Sequence, residues 1–115
     1  MIVYGIKNCN TVKSAIEWLN KNKVEFEFYD YKKSGITAAK LSEWSKQVGW
    51  ESLVNKRGTT WRQLDEAVQK KVISEKSAIT LMMEKTSVIK RPLIEKNGKV
   101  VLLGFVEAEY KQKLG

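Results

Sequence analysis

Cys9 is the only cysteine of this 115-residue chain, and its neighbours give it a setting suited to thiolate chemistry. A strand-forming run, Ile2-Val3-Tyr4, leads into a loop, Gly5-Ile6-Lys7-Asn8, and the cysteine follows at once. Asn10 and Thr11 can cap a helix, and Val12, Ala15, Ile16 and Leu19 repeat behind them at helical spacing. A thiol at the start of a helix meets free backbone N–H groups and the positive end of the helix dipole. Both favour the thiolate, the form that attacks electrophilic sulfur or an oxyanion. Lys7 and Lys13 bracket the position and act in the same sense. The competing reading is a small buried hydrophobe, which is what most lone cysteines are. This stretch alone leaves both readings open.

Composition narrows the field. The chain carries no histidine, so a Cys/His metal site is not expected, and a single cysteine excludes an internal disulfide. Hydrophobic content is 43% and charged content 30%, as in a folded soluble domain. No apolar run approaches the ~20 residues of a membrane span, and no signal-peptide pattern opens the chain, so a cytoplasmic location is expected. The net charge of +8 raises the question of an anionic partner. Most of it comes from lysines dispersed along the chain, which reads as a solvated surface and argues against direct nucleic-acid binding. Arg57, Arg62 and Arg91 are the only arginines. Because arginine grips oxyanions and carboxylates in a bidentate fork, their positions carry more information than the total charge.

The elements that must position these residues follow from periodicity. A helix is expected from about Thr11 to Asn22, and Val24 to Tyr29 alternates as a half-buried strand. Strand, helix and strand in so short a span form a βαβ unit with parallel strands. Lys32 to Gly35 reads as a turn. Thr37 caps a helix from about Ala38 to Val48, Gly49 stops it, and a shorter helical piece covers Glu51 to Val54. Asn55 to Arg62 reads as a polar loop, Asp65 as the cap of a short helix, and Ser74 as the cap of another running to about Glu84. No strand is evident between Thr37 and Lys85. Two apolar runs, Arg91 to Glu95 and Lys99 to Leu103, flank Asn97-Gly98, a strong hairpin signal. A final helix carries Val106, Tyr110 and Leu114 on one side. Pro92, the only proline, stands at a strand start, where a cis bond can be built into a turn. The simplest topology is α/β: a thioredoxin-like four-stranded mixed sheet in the order β-α-β, helical insertion, β-β-α, with helices on both faces. In it the third strand runs antiparallel to the first, and Cys9, Arg91 and Pro92 meet at one end of the sheet.

Three motifs carry a resemblance: Tyr4-Gly5-Ile6-Lys7-Asn8-Cys9-Asn10-Thr11, Arg57-Gly58-Thr59-Thr60-Trp61-Arg62, and Ile89-Lys90-Arg91-Pro92-Leu93-Ile94. In order and spacing they resemble the ArsC/Spx family of arsenate reductase-like proteins, most nearly its small YffB-type branch, over nearly the whole chain. The resemblance implies one thioredoxin-fold domain spanning 1–115 with a helical insertion at about 37–88. It also implies a reactive cysteine before the first helix and an arginine just before a cis proline. In the family's arsenate reductases the cysteine attacks arsenate, arginines hold the oxyanion, and glutathione and glutaredoxin complete the reduction. Carried over, Cys9 matches the nucleophile, Thr11 the threonine beyond it, Arg91 the arginine before the proline, and Pro92 the cis proline. Arg57 aligns with the arginine of the insertion, and Asn55 is the other position that can align there. Asn8, Asn10, Thr11, Lys13, Arg57, Arg91 and Pro92 are expected to contact substrate or glutathione, with Cys9 and Arg91 catalytic.

Two departures argue against arsenate as substrate. A further arginine of the reductases falls at Val101 to Gly104 here, and a histidine found before their cysteine falls at Gly5. The regulator branch often carries Cys-x-x-Cys, and here the second position is Val12, so an intramolecular switch is excluded. The preferred expectation is a glutathione-dependent thiol oxidoreductase working through Cys9 alone. It binds no cofactor, takes glutathione or another small thiol as co-substrate, and takes glutaredoxin as a possible partner. The alternative is an Spx-like regulator that docks on RNA polymerase without catalysis.

Overall fold

The computed structural model describes all 115 residues, Met1–Gly115. In chain order the elements are β1 (Ile2–Gly5), α1 (Asn10–Lys21), β2 (Glu27–Asp30), α2 (Tyr31–Ser34), α3 (Ala38–Val48), α4 (Trp50–Leu53), α5 (Thr59–Arg62), α6 (Glu66–Lys70), α7 (Glu75–Glu84), a 3-10 turn (Thr86–Val88), β3 (Leu93–Lys96), β4 (Lys99–Leu103) and α8 (Glu107–Leu114). They divide into a sheet unit, Met1–Ser34 with Arg91–Gly115, and a helical unit, Gly35–Lys90.

The sheet unit holds four strands in the order β2-β1-β3-β4. β1 pairs parallel with β2, and antiparallel with β3, which pairs antiparallel with β4. This is the thioredoxin-like mixed sheet expected from the element order. Val3, Ile94 and Leu102 point to one face and meet Ala15, Trp18 and Leu19 of α1 and Tyr110 of α8 in one buried cluster. Period-2 alternation puts Tyr4 and Glu95 on the opposite face, where the Tyr4 hydroxyl donates to Glu95 Oε1 at 3.4 Å. The hairpin turns at Asn97 and Gly98 with φ of 52° and 78°, the left-handed pair that a type I′ turn requires. β2 starts later than the alternation suggests. Val24 N bonds Leu19 O, so Val24 still belongs to the exit from α1, and the ladder begins at Glu27.

The expected turn at Lys32 to Gly35 is instead the helical turn α2. Asp30 Oδ1 accepts from the amides of Lys32 at 3.0 Å and Lys33 at 3.2 Å, capping it, and Gly35 at φ 77° ends it.

In the helical unit, α3 has the bounds its signals predict: Thr37 Oγ1 accepts from Lys40 N at 3.1 Å, and Gly49 at φ 84° terminates it. α7 opens with a capping box between Ser74 and Ser77 and buries Ala78, Leu81 and Met82. The polar loop at Asn55 to Arg62 is shorter than expected, because Thr59–Arg62 closes into α5 and buries Trp61. Asp65 stands at the N-cap of α6 but makes no side-chain capping bond. The segment adds one isolated bridge, Val54 with Ile89, and no strand.

Tyr110 anchors α8 to the sheet. It is fully buried, packs edge-on against Trp18 and Phe105, and donates its hydroxyl to Gly104 O at 2.8 Å. Burial, helped by the charge of Glu109, pushes its phenol up from the ordinary value. Tyr110→Phe strands a buried acceptor and is expected to cost about 0.5–1.5 kcal/mol in urea unfolding at neutral pH. The unfolded phenol releases its proton near pH 10, whereas the folded one keeps it, so stability falls as pH rises beyond about 10. Unfolding measured on both sides of that pH is expected to show a shallower alkaline loss in Tyr110→Phe than in the parent.

Candidate active site

Sheet register alone brings three segments to one end of the sheet. β1 ends at Gly5 opposite Asp30 of β2, and Tyr4 lies opposite Leu93 of β3. The loop leaving β1, the turn leaving β2 and the approach to β3 therefore share that edge. They carry Cys9, Tyr31 and Arg91-Pro92. The Arg91–Pro92 peptide is cis, and Pro92 O accepts from Gly104 N at 2.7 Å.

Cys9 is itself the N-cap of α1, a place the sequence reading gave to Asn10 or Thr11. Its backbone is extended (φ −135°, ψ 123°), its carbonyl accepts the first helical bond from Lys13 N at 2.9 Å, and Asn10 is already helical. Its sulfur makes no capping hydrogen bond of ordinary geometry. It nevertheless sits where a capping oxygen would, facing the amides of the first turn. Partial burial pushes the Cys9 thiol up. The Val12 amide, the hydrogen bond and charge of Arg91, and the Thr11 amide outweigh it, leaving the pKa below the ordinary thiol value. No acidic residue stands in the first turn of α1 to compete for these donors. Lys7 and Lys13, expected to help, are exposed side chains whose charges lie in solvent. Solvent screens such charges, whereas Arg91 is in direct contact.

Of the other expected residues, Asn8, Asn10, Thr11 and Lys13 are exposed around the half-buried cysteine, Arg91 is half-buried, and Pro92 is buried. Arg57 belongs to the helical unit and is exposed. Its amide donates to Asn55 Oδ1 at 3.2 Å, so the Asn55 side chain is engaged in folding its own turn. Gly5 explains one departure from the reductase pattern: a Cβ there would sit 3.0 Å from Val12 Cγ2, so a histidine would press on the first buried residue of α1.

Sequence reasoning missed Tyr31. It is the first residue of α2 and has no exposed surface. Its hydroxyl is hydrogen-bonded to the Arg91 side chain, and it feels the charge of Cys9. Burial pushes its phenol up strongly, against a downward pull from Arg91. The available signal was an aromatic residue amid the polar Asp30-to-Ser34 stretch, directly past the end of β2.

A thioredoxin-like sheet with a lone cysteine at the first helix and an arginine joined to a cis proline beside it defines an arsenate reductase-like class of fold. The chain belongs to the ArsC family, whose model matches residues 4–113. It is 46% identical over 109 residues to an uncharacterized protein of Haemophilus influenzae, covering 95% of this chain and 94% of that one. The solved structure of a YFFB protein superposes with a TM-score of 0.90 at 43% identity, covering 99% and 98% of the two chains. The global transcriptional regulator Spx of Streptococcus mutans is a more distant relative, 27% identical over 90% of this chain and 75% of its own length.

The lowered pKa means a larger thiolate fraction at neutral pH. Iodoacetamide labelling of Cys9 is expected to show a midpoint below the free-thiol value of about 8.5. Arg91→Ala is expected to raise that midpoint and slow labelling at pH 7 several-fold. Lys7→Ala and Lys13→Ala are expected to move it little.

Proposed function

We propose that this protein is a glutathione-linked thiol oxidoreductase with Cys9 as its single nucleophile. The observation that carries the reading is the Cys9 sulfur at the N-terminus of α1, in hydrogen-bonding contact with Arg91 and with its pKa lowered. Membership of the ArsC family, with its arsenate reductase-like fold, supports a thiol-redox role. In the first step the Cys9 thiolate attacks the glutathione sulfur of a mixed disulfide between glutathione and a substrate thiol. A Cys9–glutathione disulfide forms, and the substrate sulfur leaves as thiolate. In the second step an external glutathione thiolate attacks that mixed disulfide, releasing oxidised glutathione and restoring Cys9. Arg91 holds the thiolate and, once the cysteine is consumed, offers its charge to an anionic group of the bound partner. The exposed Asn8, Asn10, Thr11 and Lys13, which belong to the same unit as Cys9, are assigned to the approach of the substrate.

Mass spectrometry after exposure to oxidised glutathione is expected to show one adduct, on Cys9. It should form at pH 7 faster than on a free cysteine peptide and be removed by reduced glutathione. A Cys9 that reacts no faster than the peptide overturns the reading. It leaves the regulator alternative, which the likeness to Spx supports. Arsenate reduction is expected to be weak or absent even with glutathione and glutaredoxin supplied, because Gly5 and Gly104 stand where the reductases carry a histidine and a further arginine. Turnover matching that of an arsenate reductase assayed in parallel would contradict this.

A further inference from the structure

We propose that Tyr31 is a positioning residue of this site, its buried phenol oxygen holding the Arg91 guanidinium against the Cys9 sulfur. The inference rests on the role given to Cys9 above and adds a third member to it. The geometry comes first. Tyr31 leaves β2 at the edge where Cys9 leaves β1, and α2 fixes its backbone through the two amide bonds to Asp30 Oδ1. Its side chain has no exposed surface, so it reaches solvent or substrate only through another group. The group it touches is Arg91, which in turn touches Cys9.

A phenol suits this task better than a carboxylate. A carboxylate would pair with Arg91 and cancel the charge that Cys9 needs. A neutral phenol accepts an N–H of the planar guanidinium, fixes its orientation and leaves the charge whole. Burial and the Cys9 charge hold Tyr31 protonated at neutral pH, so it stays in that form when the thiolate is present. The groups whose charge bears on the pair are Arg91 and Asp30, and Asp30 already spends one carboxylate oxygen on the amides of α2. The exposed Lys7 and Lys13 flank the cysteine from the solvent side.

The test is a double-mutant cycle read as the pH midpoint of Cys9 labelling by iodoacetamide. Tyr31→Phe keeps the ring and removes only the oxygen. It is expected to raise the midpoint in the parent chain and to have no further effect in an Arg91→Ala background. A residue that merely fills space would leave the midpoint in place, or shift it equally in both backgrounds, and either result overturns the proposal. Should Tyr31→Phe fail to fold, a fluorinated tyrosine incorporated at position 31 alone keeps ring and hydroxyl while weakening the oxygen as an acceptor. It is expected to give a smaller upward shift, again only when Arg91 is present, and no shift overturns the proposal. A parent midpoint at the free-thiol value would count against the function proposed for Cys9. A low parent midpoint unmoved by Tyr31→Phe counts against Tyr31 alone.

Discussion

The pairing of β1 with its two neighbours is the constraint on which the site depends. β1 is four residues long, yet it fixes Gly5 opposite Asp30 and Tyr4 opposite Leu93. A slip of one residue in either ladder would turn Val3 or Ile94 out of the cluster they share with α1 and α8. Burying an aliphatic side chain of that size is worth about 1.5–3 kcal/mol, so the register is held by the core rather than by the site. The chemistry-bearing groups are passengers of that register. Cys9 follows β1 by four residues, Tyr31 follows β2 directly, and Arg91 precedes β3 by two.

At the cysteine two opposing effects are balanced. Partial burial favours the neutral thiol, and a charge in contact together with two oriented amides favours the thiolate. The second side prevails because its members are held in place before ionisation. The amides belong to the first turn of α1, and Arg91 is fastened to a strand end through Pro92. Exposed lysines a few residues away lack this advantage, since water reorganises around them as readily as the protein does.

Local signals made much of the fold legible. Thr37 and Gly49 bound α3, Ser74 opens α7, and Asn97-Gly98 turns the hairpin, each through an interaction confined to a few residues. Cys9 and Arg91 were legible as well, through the strand–loop–helix order and the motifs shared with the ArsC family. What sequence alone did not yield depends on long-range contact. Asn10 and Thr11 are the better capping residues by type, but the cap is Cys9, because it is the last residue with extended backbone before the helix. α5 hides in a polar stretch because the buried Trp61 is its one apolar residue. Tyr31 falls between the strand ending at Tyr29 and the turn starting at Lys32, and its contact with Arg91 exists only once β2 and β3 flank β1.

Val12 has a consequence of a different kind. It occupies the third place beyond Cys9 and is fully buried, so this turn of α1 presents a valine to the core where a second thiol would be needed for self-resolution. A disulfide formed on Cys9 therefore has no internal exit, and the lifetime of the modified protein is set by the surroundings. It is inversely proportional to the concentration of free thiol: brief in a reducing medium and long in a depleted one. On this reading the chain keeps time by its solvent.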